Sequence, residues 1–118
     1  MIANAYKVCH VDKFNIKTSA TTDRRYALEY GLNKKTTPKI EKVFVFETRH
    51  DAVMFAIMFK NTRVFSCYAE NIVEAPKKIA ADSFDFEVFW KKKSVENYSW
   101  SIPGSYVADS VTLLEEIK

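Results

Sequence analysis

Residues 42–70, KVFVFETRHDAVMFAIMFKNTRVFSCYAE, constrain the fold more than any other part of the chain. Val43, Phe44, Val45 and Phe46 are a short, unbroken run of β-branched and aromatic residues, the make-up of a buried strand. Thr48 follows, where its hydroxyl can cap a helix. Asp51 stands three residues on, where an acid can reach back to the cap. The spacing predicts a helix over 49–60. Ala52, Phe55, Ala56 and Phe59 fall at i, i+3, i+4 and i+7 and form one apolar face. Val53, Met54, Ile57 and Met58 make most of the remainder apolar too. Such a helix is expected to be covered on more than one side, either deep against a sheet or with one flank against a second subunit. Asn61 can adopt the left-handed conformation that closes a helix. Residues 63–69 then alternate as a strand does, Val64, Ser66 and Tyr68 against Phe65, Cys67 and Ala69. The stretch reads as strand, helix, strand. It specifies architecture and carries no chemistry of its own.

On either side, alternation predicts further strands. Residues 5–11 form a first strand, with Tyr6, Val8 and His10 on one face and Ala5, Cys9 and Val11 on the other. Asp12, Lys13 and Asn15 make a turn, and 15–19 a short second strand around Ile16 and Thr18. Residues 25–30 fit two elements. One is a strand aligning Tyr26, Leu28 and Tyr30, which the strict alternation favours. The other is a helix capped by Thr22 and stopped at Gly31. Residues 32–39 read as a polar loop. Pro76 confines 71–79 to an edge or an extended segment. Residues 84–90 alternate, Phe84, Phe86, Val88 and Trp90 against Asp85, Glu87 and Phe89. A short helix capped by Asp82 is the alternative there, with Lys91, Lys92 and Lys93 complementing its dipole. Tyr98, Trp100 and Ile102 alternate again, Pro103 and Gly104 signal a turn, and 108–117 end the chain as a strand with Val111, Leu113 and Ile117 on one face. The expected fold is α+β. It is a single domain over residues 1–118, a mostly antiparallel sheet of about five to six strands with one main apolar helix packed on it.

Composition narrows the function classes. With 47% hydrophobic and 14% aromatic residues, the chain can build a real core and is unlike a disordered segment. Its two glycines, Gly31 and Gly104, are too few for a Walker loop or a dinucleotide fingerprint, so no cofactor is expected. No run of 18 apolar residues marks a membrane span, and the first residues lack the basic-then-apolar pattern of a secretory signal. The expected compartment is cytoplasmic, with Cys9 and Cys67 as reduced core residues.

Reactive side chains do not assemble into a recognisable centre. Cys9, His10, His50 and Cys67 are the soft metal ligands, but adjacent Cys9 and His10 point to opposite faces of a strand, and no paired ligand spacing is present. No glycine-rich elbow accompanies either cysteine. The acidic cluster of Asp82, Asp85 and Glu87 and the pair Glu115 and Glu116 read as solvated charge. Catalytic residues and metal ligands are therefore not assigned, and an enzyme with an unrecognised site stands as the least favoured class.

Binding is the better-supported class. Residues 1–60 hold eleven Lys/Arg against six Asp/Glu, whereas 61–118 hold seven against nine. A basic first half can face an anionic partner, or it can be an ordinary solvated face. The ligand-binding candidates are Arg24, Arg25, Lys34, Lys35 and Arg49 for charge, with Trp90, Tyr98 and Trp100 as aromatic walls. An anion can also sit at the helix start near Thr48, helped by Arg49 and opposed by Asp51. A nucleic-acid module is the alternative. It would use the same basic half, with Tyr26 and Tyr30 facing outward to stack bases.

An overall pattern is also present. It comprises Tyr6-Lys7-Val8, Tyr30-x-x-Asn33 running to Pro38, Val43-Phe44-Val45-Phe46, Asp51-Ala52 with Phe55, and the strand over 63–69. It closes with Phe89-Trp90 and Pro103-Gly104-x-x-Val107-Ala108-Asp109-Ser110-Val111. In these residues the chain resembles small accessory proteins of tailed phages and environmental viruses. The resemblance implies a viral protein acting in an infected host's cytoplasm. Such a protein would bind rather than catalyse, engaging a host protein or sequestering a small anionic, nucleotide-like molecule used in defence. The resemblance carries no activity over to individual residues; a homo-oligomer is a separate expectation, since a second subunit would cover the second side of the apolar helix.

Overall fold

The alternating residues at the start of the chain form the strand around which the sheet is built. The computed structural model describes residues 2–20, 28–38, 42–74 and 105–117. Its elements run β1 (Ile2–Val11), β2 (Lys17–Ser19), β3 (Glu29–Tyr30), β4 (Lys35–Thr36), β5 (Val43–Phe46), α1 (Arg49–Ala56), β6 (Thr62–Glu70), β7 (Val73–Glu74), β8 (Ser105–Ala108) and β9 (Ser110–Ile117). The strands form one sheet in the order β4-β9-β6-β1-β5-β8-β7, with β2 and β3 branching from β1. Every ladder between these strands is antiparallel, and one isolated parallel bridge joins Leu32 to Leu113. A sheet-rich antiparallel fold with a helix packed on it is thus what the periodicities predict, but among the described residues there are nine strands against the expected five to six. The surplus includes β4 and β7, at two residues each too short to show a period, and β8, whereas β3 falls inside the stretch over 25–30 whose alternation favours a strand. Strand β4 lies inside the stretch read as a polar loop.

Strands β5 and β6 both run antiparallel to β1, which lies between them. They are therefore parallel to each other, and α1 crosses over β1 to join them. The Thr48 side chain starts this helix. Its hydroxyl accepts from the Asp51 amide at 3.2 Å and donates to the Asp51 carboxylate at 2.8 Å. Glu at this position would reach the cap's amide. The shorter Asp stops at its hydroxyl.

The helix ends at Ala56, four residues before the predicted end. The Met58 and Phe59 amides bond three residues back, to Phe55 and Ala56, which tightens the chain into 3₁₀ geometry. The Thr62 hydroxyl then donates to the Ala56 and Phe59 carbonyls, at 2.8 and 3.0 Å. The carbonyl that a longer helix would offer to Lys60 is already engaged. Asn61, at φ 59, turns the chain into β6 in the expected left-handed conformation.

Expectation and structure also part over the cover of the helix. Phe55 and Ala56 are half-buried, and Ala52 alone among its residues is fully buried. This side packs with Val8, Phe46 and Val64, the Phe46 and Phe55 rings lying 5.3 Å apart. Val53, Met54, Ile57, Met58 and Phe59 are exposed, Ile57 to 69%. An eight-residue helix on a broad sheet offers it one stripe, and apolar residues off that stripe face outward.

The opposite sheet face carries the larger core, including Ala5, Cys9, Val45, Phe65, Cys67 and Leu113, with Tyr30 and Leu28 packed among them. Cys67 stands opposite Ala5 and Cys9 opposite Arg63. The thiols are thus four positions apart along adjacent strands, about 13 Å of rise and beyond disulfide reach.

The last strand departs from its predicted pattern. Ser66 pairs with Glu115, yet Cys67 pairs with Leu113, so Leu114 is an extra residue on β9. This bulge shifts the alternation by one. Val111 and Leu113 join the larger core as expected, while Ile117 turns to the helix side.

Among the described residues no helix is long and apolar enough to cross a membrane. The segments predicted as strands over 84–90 and 98–102 lie outside the described residues.

Candidate functional site

One side of β1 is shared by two strands, and the sheet forks there. Tyr6 pairs with Phe46 of β5, and three residues later Cys9 pairs with Ser19 of β2. Lys7 and Val8 lie between. They pair with Phe65 and Val64 of β6 on their other side. Continuing the β1–β5 register would set Val8 against Phe44, but the ladder stops at Tyr6.

The Lys7 side chain enters this fork. Its Nζ donates to the Phe44 carbonyl at 2.7 Å and lies 5.5 Å from the centre of the Tyr30 ring. Lys7 therefore spans from β5 to β3, and it is only 8% exposed.

A second cation leans over the same face. Lys17 stands opposite Val11 in β1 and Tyr30 in β3. Its Nζ lies 5.8 Å from the centre of the Phe65 ring and donates to the Asn15 carbonyl at 3.3 Å. Phe65 is also the ladder partner of Lys7. Each ammonium thus lies over a ring of the larger core, on one face of neighbouring strands.

Both lysines act on the Cys9 thiol. Burial pushes that thiol up to about 12, against the pull of Lys7 and Lys17. Burial likewise pushes Cys67 to about 12, with Lys7 pulling down and Cys9 adding to the rise. Both cysteines stay protonated near neutrality and are poor nucleophiles. Among the described residues no three His, Cys, Asp or Glu side chains come together to hold a metal ion.

The cations lack an anionic partner among the described residues. Ion pairs there join Lys35 to Glu70, Lys42 to Asp109 and Arg63 to Glu116. Taking an ammonium out of water costs several kcal/mol even after relaxation. A hydrogen bond to a charged group returns about 1.5–3 kcal/mol, and a desolvated ring face about 2 kcal/mol. These terms roughly cancel for Lys7. Its ammonium has three N–H donors, and the Phe44 carbonyl is the acceptor for one.

Three of the residues singled out by composition, Lys34, Lys35 and Arg49, lie among the described residues and stand apart from this site. Lys34 and Lys35 are exposed near the β4 edge, where Lys35 pairs with Glu70 at 3.0 Å. Arg49 is exposed at the start of α1. The edge strand β4 is four strand spacings from β5, about 19 Å along the sheet, so Lys34 and Lys35 stand apart from Arg49, which follows β5. Arg24, Arg25, Trp90, Tyr98 and Trp100 lie outside the described residues. The helix start is a poor anion site, because Asp51 already holds the Thr48 hydroxyl. Tyr30 is 4% exposed with Lys7 over its face, so it offers no outward platform for stacking a base.

Lys7 and Lys17 are the site residues that charge counting misses. For Lys7 a signal is present: it falls in phase with Ala5, Cys9 and Val11, a charged residue inside an apolar row.

No protein-family model, curated protein or solved structure matches the chain.

Proposed function

We propose that this chain is a non-enzymatic binding protein, of the kind its resemblance to phage accessory proteins implies, and that it captures a small anionic ligand at the Lys7–Lys17 site. The observation that carries this reading is that two ammonium groups lie over rings on one face, with no carboxylate beside either among the described residues. Such a site favours a negative guest, because the guest supplies the acceptors and the charge that the protein omits. Burial and the bond to the Phe44 carbonyl restrain the Lys7 side chain, so little of its freedom remains to be lost on binding. Raised thiol pKa values at Cys9 and Cys67 weigh against covalent catalysis here.

Thermal unfolding at low ionic strength tests the proposal. Small anions should raise the melting temperature of the wild-type protein, by mass action on the folded state. Replacing Lys7 by Met should remove the effect. An anion panel that leaves the wild-type melting temperature unchanged would defeat the reading.

A further inference from the structure

We infer that the ligand group seated at the fork is a compact, doubly charged oxyanion, of the phosphate or sulfate type. The inference rests on the anion-binding reading and narrows it.

Charge comes first. Lys7 and Lys17 bring two positive charges to one face, and the ion pairs among the described residues lie elsewhere. A singly charged guest would leave one of the two ammonium groups uncompensated. A dianion matches both.

Donor count agrees. Each ammonium has three N–H donors. One on Lys7 goes to the Phe44 carbonyl and one on Lys17 to the Asn15 carbonyl. Two remain on each lysine, four in total, and a tetrahedral oxyanion has acceptor oxygens enough for all of them.

The rings argue for a small group. Tyr30 and Phe65 are 4% and 1% exposed, and their faces are already approached by Lys7 and Lys17. Neither can stack on a base or another flat ring. A nucleotide would therefore be held here through its phosphate. At the fork Lys7 and Val8 have no ladder partner on the side shared by β5 and β2, so the backbone there is not closed by a neighbouring strand.

Calorimetric titration at low ionic strength tests this with sulfate, inorganic phosphate, nitrate, acetate, adenosine and adenosine monophosphate. Sulfate and phosphate should bind about tenfold or more tightly than nitrate and acetate, the difference expected from one added charge-assisted contact. Adenosine should not bind, and its monophosphate should bind within a few-fold of phosphate. Lys7→Met and Lys17→Met should each lose about tenfold or more for sulfate, whereas Lys13→Ala, in the exposed turn, should not. Acetate binding as tightly as sulfate, or adenosine binding as tightly as its monophosphate, overturns the dianion inference while leaving an anion or ligand site standing. No binding by any of the anions overturns the inference together with the reading beneath it.

Discussion

Lys7 and Phe44 lie 37 residues apart and meet through one hydrogen bond, Nζ to carbonyl oxygen at 2.7 Å, beside the point where β1 and β5 cease to pair. The contact substitutes a side-chain donor for the backbone amide that a longer ladder would supply. It makes Lys7 at once a structural bridge and the most buried charge in the candidate site.

Those two roles separate in the Lys7→Met variant. Losing the charge-assisted bond from Lys7 to the Phe44 carbonyl costs about 1.5–3 kcal/mol. Losing the ring contact costs about 2 kcal/mol more. Removing a desolvated ammonium returns several kcal/mol. The variant should thus stay folded, within about 2 kcal/mol of wild type by urea denaturation, while anion binding is lost. A loss of more than about 4 kcal/mol would make Lys7 a group that the fold itself requires.

Asp109 ties two turns together, and its charge should be visible in acid stability. It sits between β8 and β9, accepts from Lys42 Nζ, and accepts from Asn71 Nδ2 at 2.7 Å. The Lys42 bond, then the Asn71 bond, hold its carboxyl below the ordinary carboxylate range. A lowered native pKa means that ionised Asp109 stabilises the fold above its ordinary value of about 3.9, and that this support fades as pH falls through the lower native value. Asp109→Asn should therefore be less stable than wild type near neutrality, with the two converging in acid. Parallel stability curves down to pH 2 would contradict the assignment.

The thiols give the opposite sign. Burial raises Cys9 and Cys67 to about 12 from 9.0, so their protonated state supports the fold below pH 9 and that support is lost as pH rises toward 12. The native protein should be nearly inert to a thiol reagent at pH 8, and both cysteines should react in denaturant. Stability should also decline above pH 9, and less steeply in a variant with both cysteines replaced by Ala. Rapid native labelling at pH 8 would show that the larger core opens readily.

How much of this is legible in the sequence depends on whether the signal is local. Val43 to Phe46 announce a strand by composition, and Thr48 with Asp51 announce the helix start by spacing. Both lie within one turn or one strand, and both are found in the structure. The alternation of β1 is equally plain, and it places Lys7 beside Ala5 and Cys9. It cannot place the ammonium, because a long lysine stem can lie along apolar surface and return to water. What traps Lys7 is the competition of β5 and β2 for the same side of β1, a contact between distant segments. Strands β4 and β7 are hidden for another reason. Two residues carry no period, and pairing alone defines them.

The bulge at Leu114 is the least legible feature and gives the sharpest test of the register. Val111, Leu113 and Ile117 sit at odd positions, so a regular strand would place all three on one face. The extra residue sends Ile117 to Val8 and Val64 on the helix side, while Val111 and Leu113 remain in the larger core. Deleting Leu114 should restore regular alternation without moving any other β9 side chain to the wrong face. That variant should fold, losing about 1–3 kcal/mol for the partly buried leucine itself. Deleting Thr112 shortens the strand by the same amount but leaves the bulge and reverses the face of its neighbours. It should unfold the protein or cost well beyond 4 kcal/mol. Circular dichroism and thermal melts of the two deletions compare them directly. Equal destabilisation would mean that β9 does not hold this register.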